Sequence, residues 1–292
     1  MRAIKTKISS VTNINQITKA LEVVSTVKLK KVKEQTDSYR VFMNELIAML
    51  HRLGQYVNIF DNVVVKSDKT LVIVMGTEKG LCGSLNAKIN KMVDMTFSTS
   101  KDLVDIYAVG KKAVEFFVRE GYTIAGSLSI PDMFDTSDVV ELYNYIHESL
   151  DAGRYARVVI AFNYFHNALV QEPVFLDLFP LEEGAFDSFV ESMGVDMTER
   201  LSQVEVTDIE LEPSVGEVST YLQALVIKYM VFGALLQNKT GEFASRMIAM
   251  KNAKDNSKDL IKKLNITFNK ARQAAVTQEI SEIVSAKVSM ES

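Results

Sequence analysis

The segment Glu242–Ser292, EFASRMIAMKNAKDNSKDLIKKLNITFNKARQAAVTQEISEIVSAKVSMES, contains no glycine and no proline. The segment Met1–Leu53, which opens MRAIKTKISSVTNINQITKALEVVSTVKLKK, lacks both as well, so all 13 glycines and all 4 prolines lie between the two. Glycine costs about 1 kcal/mol and proline about 3 kcal/mol in a helix interior, so each segment reads as one long helix. At a rise of about 1.5 Å per residue each would run roughly 75–80 Å, beyond the span of a small domain. In the last segment Phe243, Met247, Met250, Ser257, Ile261, Leu264, Phe268, Ala271 and Ala275 keep a 4,3 spacing, the signature of a left-handed coiled coil. KNAKDNSKD interrupts that seam at Lys254 and Ser257, and alanine replaces larger residues beyond Phe268, which predicts thin packing there or a different partner. In the first segment Ile4, Ile8, Val11, Ile14, Ile17, Leu21 and Val24 are spaced by 3 or 4 and mark its seam. The economical arrangement is an antiparallel pair, with an N-terminal coiled-coil helix over 1–57 and a C-terminal one over 214–286.

Between them the pattern alternates. TLVIVMG from Thr70, LVDIYAVG from Leu103 and ARVVIAFN from Ala156 read as buried strands. Leu85–Met95, KKAVEFFVREG and about Ser137–Leu150 carry helical spacing, and ALVQEPVFLDLFP reads as a strand broken by Pro173 at a sheet edge. This predicts a central Rossmann-like α/β domain over 68–212 with a largely parallel sheet. Leu181–Pro213 is acidic and reads as short extended pieces. From Val215 a helix is predicted through Tyr221, Leu225, Lys228 and Phe232, with Gly233 and Gly241 tolerated or kinking it.

Charge divides the chain in the same way. Met1–Thr36 carries eight Lys/Arg against two Glu, and Gln237–Ser292 ten against six acids, which leaves the middle at −14 within a total of −4. Basic ends suit an acidic partner, whether nucleic acid, an anionic membrane or acidic protein loops, and they suit equally a solvated lysine-rich face. One cysteine, Cys82, excludes an intrachain disulfide and a cysteine-based zinc site. MRAIKTKISS has no apolar core of a secretory signal. LVIVM and VVIAF are too short to span a bilayer.

The glycine-rich turn GTEKGLCGSLN, Gly76–Asn86, lies between a strand and a helix, the setting of phosphate-binding loops. It lacks the Lys-Ser/Thr ending of a P-loop and the dinucleotide glycine spacing, so Gly80 and Gly83 read as structural-turn residues. His51, His147 and His166 are far apart with no ligand-spaced partners, and no metal is expected. Cys82 reads as a packed turn residue rather than a nucleophile, and no catalytic constellation is present. In FNKARQAAVTQEISEIV the polar Arg272, Gln273, Thr277, Gln278 and Glu282 interleave with alanines. On an ordinary surface these are scattered charges; on a helix with little of its own chain to pack on, they are aimed at a partner.

Three stretches together carry a resemblance over essentially the whole chain: IKTKISSVTNINQITKALEVVSTVKLKK, GLCGSLN, and ASRMIAMKNAKDNSKDLI through NKARQAAVTQEISEIV. In order and place they resemble the γ subunit of F-type ATP synthases. The resemblance implies a central-stalk rotor with no cofactor and no catalytic site, its coiled coil entering a hexamer of α and β subunits. It further implies that the middle domain binds the ε subunit and the membrane ring of c subunits, at the cytoplasmic face of a bacterial plasma membrane. Membrane association would come only through the complex, with no nucleic acid involved. Arg272 and Gln273 match the family's Arg-Gln that bonds a β-subunit loop. Thr277, Glu279 and Glu282 lie in the same segment, Arg246 matches an arginine lower on the helix, and Leu21 stands where many members have Met; the resemblance implies that these residues too meet β-subunit loops. Departures are Ser84 in place of a third glycine, the ending VSAKVSMES, Leu211 where some members have an aromatic, and the missing cysteine insert of chloroplast members. A coiled-coil nucleic-acid binder and an enzyme built on the glycine turn are the competing classes.

Overall fold

The computed structural model describes residues 2–60, 65–194 and 210–291. Two compact units emerge, one of residues 1–25 with 246–292 and one of residues 26–245. The elements in order are α1 (Arg2–Leu53), β1 (Thr70–Met75), α2 (Leu85–Phe97), β2 (Val104–Val109), α3 (Lys111–Arg119), β3 (Thr123–Leu128), α4 (Val140–Asp151), β4 (Arg157–Phe165), β5 (Gln171–Phe179), α5 (Glu183–Ser192) and α6 (Val215–Glu291). The glycine-free ends do form single helices, of 52 and 77 residues. Gly54 follows the end of α1, which stops at Leu53 rather than 57.

In the unit of 1–25 and 246–292, the buried row on α1 passes through Ile4, Ile8, Val11, Asn15, Thr18, Glu22 and Ser25. It continues in the other unit through Leu29, Val32, Tyr39, Met43 and Leu46. This corrects the seam read from the sequence, because Ile14, Ile17 and Val24 are 50%, 59% and 46% exposed. The 4,3 period wins over residue polarity: keeping it requires Asn15, Thr18, Glu22 and Ser25, and the isoleucines fall one step off the row. The buried hydroxyls are satisfied within their own helices. Thr18 Oγ1 donates to the Ile14 carbonyl at 3.0 Å, Ser25 Oγ to Leu21 at 2.7 Å and Ser257 Oγ to Ala253 at 2.7 Å.

On α6 Met247, Met250, Ser257, Ile261, Leu264, Phe268, Ala271 and Ala275 are buried or half-buried. The interruption at Lys254 is filled rather than thin. Lys254 Nζ pairs with Glu22 Oε2 at 2.5 Å, and its carbonyl accepts from Asn15 Nδ2 at 2.7 Å. Leu264→Asp is expected to cost the full chain several kcal/mol, since it sets a carboxylate in an apolar layer of the seam. Lys262→Asp, at a side chain 77% exposed, should stay within about 0.5 kcal/mol. Equal melting of the two variants by circular dichroism would rule out a paired seam.

The unit of 26–245 holds a five-stranded sheet in the order β3-β2-β1-β4-β5. β1 runs parallel to β2 and β4, β2 parallel to β3, and β5 antiparallel to β4 at the edge. Strand β1 is buried on both faces, which is why TLVIVM reads as a continuous apolar run. Val72, Val74, Ile106, Ala108, Val159 and Ala161 pack with Ile89 and Val93 of α2 and Phe117 of α3. Tyr107, pointing the other way, meets Tyr145 of α4 with ring centroids 5.0 Å apart. Lys28 with Phe243, Tyr39 with Phe232 and Phe42 with Tyr229 show α1 and α6 running antiparallel.

Two sequence expectations need correcting here. Pro173 does not break β5, because it lies opposite Asn163 on the outermost strand. The chain from 183 to 192 is helical rather than extended: Phe186, Phe189, Val190 and Met193 are buried at helical spacing, and 195–209 lies outside the described residues. A window of α6 is apolar enough by composition to cross a bilayer. Met230–Thr240 is instead buried on every side within this unit, as a core helix is.

Candidate functional site: the terminal helix and the glycine turn

Past Ala275 every α6 side chain described is exposed, so the sequence of that stretch faces outward by geometry. Helical spacing sorts it into two adjacent rows. Arg272, Val276, Glu279 and Ile283 form one, and Gln273, Thr277, Ile280 and Val284 the next. Arg272, Gln273, Thr277 and Glu279 therefore share their face with Val276, Ile280, Ile283 and Val284, which are 47%, 56%, 69% and 55% exposed, whereas Gln278 and Glu282 lie outside both rows. These apolar residues were missed, although their 4,3,1 spacing was legible. Four exposed branched residues stand beside an arginine and a glutamine, a mixture of apolar and polar side chains of the kind protein-binding faces carry.

Thr277 Oγ1 donates to the Gln273 carbonyl at 2.9 Å, and Gln278 Nε2 donates to Glu282 at 3.0 Å. Arg272 carries no ion pair among the described residues, so its five donors stay available. Leu21 is half-buried on α1. Arg246 is different from the rest: it is 9% exposed, held against its own chain and not displayed on the terminal face.

The glycine turn is tied down rather than open. Thr77 Oγ1 donates to the Lys79 carbonyl at 2.7 Å, and Asn86 Nδ2 donates to Thr77 Oγ1 at 2.8 Å. Ser245 Oγ of α6 donates to the Cys82 carbonyl at 2.6 Å. Gly83 sits at φ +61°, the left-handed region that glycine enters freely. A Cβ on Gly80 would meet nothing within 4 Å, whereas one on Gly76 would come within 2.9 Å of the Ala113 Cβ, so the turn needs glycine at 76 for space and at 83 for backbone conformation.

The crevice at the carboxyl ends of β1 and β4, where an open α/β sheet binds its ligand, is occupied by α6 itself. Asn238 Oδ1 accepts from the Asn163 amide at 3.1 Å and from Asn163 Nδ2 at 2.9 Å, while Asn238 Nδ2 donates to the Gly76 carbonyl at 3.4 Å. Gln237 Oε1 accepts from the Phe165 amide at 3.2 Å. Nearby, burial works to raise the Asp132 carboxyl. The hydrogen bond and charge of Lys28, with the charges of Lys239 and Lys79, outweigh it and hold Asp132 below the ordinary range. Among the described residues no cluster of His, Cys, Asp and Glu could hold a metal.

A family model described as ATP synthase matches residues 1–290. The ATP synthase gamma chain of Ruthia magnifica subsp. Calyptogena magnifica is 32% identical over 294 residues, covering 97% of each chain. That of Pelotomaculum thermopropionicum is 30% identical over 295 residues, covering 100% of this chain and 99% of the relative. A chain in the cryo-EM structure of Euglena gracilis mitochondrial ATP synthase, OSCP/F1/c-ring, is 20% identical with a TM-score of 0.67, covering 99% of this chain and 94% of that one. One in the central stalk/c-ring of Tetrahymena thermophila mitochondrial ATP synthase is 21% identical with a TM-score of 0.60, covering 81% of this chain and 99% of that one.

Proposed function

Because the chain belongs to the ATP synthase gamma-chain family, we propose that the exposed rows of α6 are the face by which it engages the catalytic subunits. It is a central-stalk rotor subunit of F-type ATP synthase, coupling ion-driven rotation of the c-ring to the cycling of the catalytic sites. The observation that carries the reading of the face is the display of Arg272 and Gln273 beside Val276 and Ile280 on a helix with no cover of its own. In this reading Arg272 and Gln273 donate to a loop of a β subunit, with Thr277, Glu279 and Glu282 around them. Leu21 lies lower on the shaft. Arg246, buried against its own chain, stiffens the helix rather than touching β.

The chain itself performs no chemistry in this proposal. The sheet crevice that could take a nucleotide is filled by Gln237 and Asn238. Its partners are the α and β subunits, the ε subunit and the c-ring, and it sits at the cytoplasmic face of a bacterial plasma membrane through the complex. The nucleic-acid reading of the basic ends finds no support among the relatives.

A charge-assisted hydrogen bond contributes about 1.5–3 kcal/mol net, enough for about a tenfold change in a rotation-limited step. Arg272→Ala with Gln273→Ala should therefore lower ATP turnover of the purified complex about tenfold while subunit stoichiometry stays normal. Lys258→Ala, at a side chain 56% exposed, is the control. Full turnover in the double variant would reduce the two residues to solvent-facing polar groups.

A further inference from the structure

The sheet has two edges, and they are guarded unequally. Edge strands invite pairing by foreign strands, and proteins discourage it with proline, charge or a bulge. β5 carries Pro173, Glu172 and Asp177, the last held by Arg157 at 2.5 and 3.0 Å. β3, TIAGSL, has neither proline nor charge. Among the described residues it ladders only with β2. The Leu128 carbonyl accepts from the Gly110 amide at 2.8 Å, and the strand's alternation then turns the Ser127 amide and carbonyl away from the sheet. The one irregularity is Ala125, which has no opposite residue in β2 because Ile124 faces Ile106 and Gly126 faces Tyr107.

Beside this edge lies a cavity of about 390 Å³ between β3 and α4, floored by Tyr107 and flanked by Glu141 and Glu148. The two glutamates are exposed and seven residues apart, on one helix face. Neither has an ion pair among the described residues. Burial, and then the charge of Glu141, push the Tyr107 hydroxyl up to about 12.

We propose that the β3 edge is a docking strip for an extended segment of a different chain, which bonds to the outward backbone groups at Ser127 and lays a lysine or arginine between Glu141 and Glu148. Strand addition gives affinity through the backbone and specificity through the side chain that drops into a pocket. A second copy of this chain does not fit. Residues 37–236 carry a net −14, and edge-to-edge pairing would set Glu141 and Glu148 against their own equivalents.

The proposal rests on the rotor reading only in where the partner is sought, the purified ATP synthase complex. In that preparation, co-purification of α and β subunits judges the rotor reading, and the β3 amides judge this one. Hydrogen–deuterium exchange at Ser127 should slow by about 100-fold in the complex relative to the chain alone. Glu141→Lys with Glu148→Lys should remove that protection without changing the circular dichroism of the chain. Ser127→Cys, labelled with a short photoactivatable crosslinker, should capture a peptide of another subunit containing lysine or arginine; Cys82, 2% exposed, stays unlabelled. Equal exchange in the complex and the free chain would overturn the proposal, as would a crosslink between two copies of this chain or to a segment without a basic residue.

Discussion

Glu242→Gln is expected to destabilise the chain by about 3–5 kcal/mol, because removing one member of a buried ion pair strands the other's charge. The side chains of Lys239 and Glu242 are 3% and 2% exposed, with Nζ and Oε2 3.2 Å apart. They sit in the part of α6 that is covered on every side, so the lysine cannot reach water by moving its tip. The loss should appear as a drop in melting temperature on the order of 10 °C. Replacing both residues together, Lys239→Met with Glu242→Leu, should recover most of the loss, since two apolar side chains leave no charge to solvate. A Glu242→Gln melt within about 1 kcal/mol of the parent would mean that Asp132, whose field Lys239 already feels, is counter-charge enough.

Gly233→Ala should cost about 3 kcal/mol, which is large for one methyl group on a helix that alanine otherwise favours. An added Cβ would come 2.8 Å from Phe189 Cζ and closer still to Tyr39 Oη. Overpacking of this kind costs about 1–3 kcal/mol. The Tyr39 hydroxyl, which donates to the Tyr229 carbonyl at 2.8 Å, would be displaced with the loss of about 1 kcal/mol more. Urea unfolding of the full chain measures it. A stabilised variant would show that α1 and α5 can draw back from α6 without penalty.

The same glycine shows what was legible in the sequence and what was not. Absence of breakers announced both long helices, yet Gly216, Gly233 and Gly241 lie inside α6. Close approach of Tyr39 and Phe189 explains Gly233, and that depends on residues far away in sequence. β1, β2 and β4 were readable because strands buried on both faces are continuously apolar. β3 was not: Thr-Ile-Ala-Gly-Ser-Leu offers neither a run nor an alternation, and its conformation comes from pairing with β2. α5 was hidden by its acidity, although Phe186, Phe189, Val190 and Met193 carried the helical period. On α1 the apolar Ile14 and Ile17 outvoted a strict period that ran through polar residues. Arg272 and Gln273 were assigned by resemblance, and the apolar residues of the same rows were passed over.

The polar middle of the coiled coil also settles how the two helices can be indexed. Apolar seams tolerate a slip of one heptad, because every layer resembles the next. Here a slip in either direction would take Glu22 from Lys254 and set it against Met247 or Ile261, while Asn15 would lose the carbonyl it donates to. A carboxylate at an apolar layer costs several kcal/mol, and the penalty falls on both directions of slip alike. The helices therefore have one setting. A shaft under torque transmits it only if its strands do not creep past one another, and Glu22, Lys254 and Asn15 act as the key in the keyway.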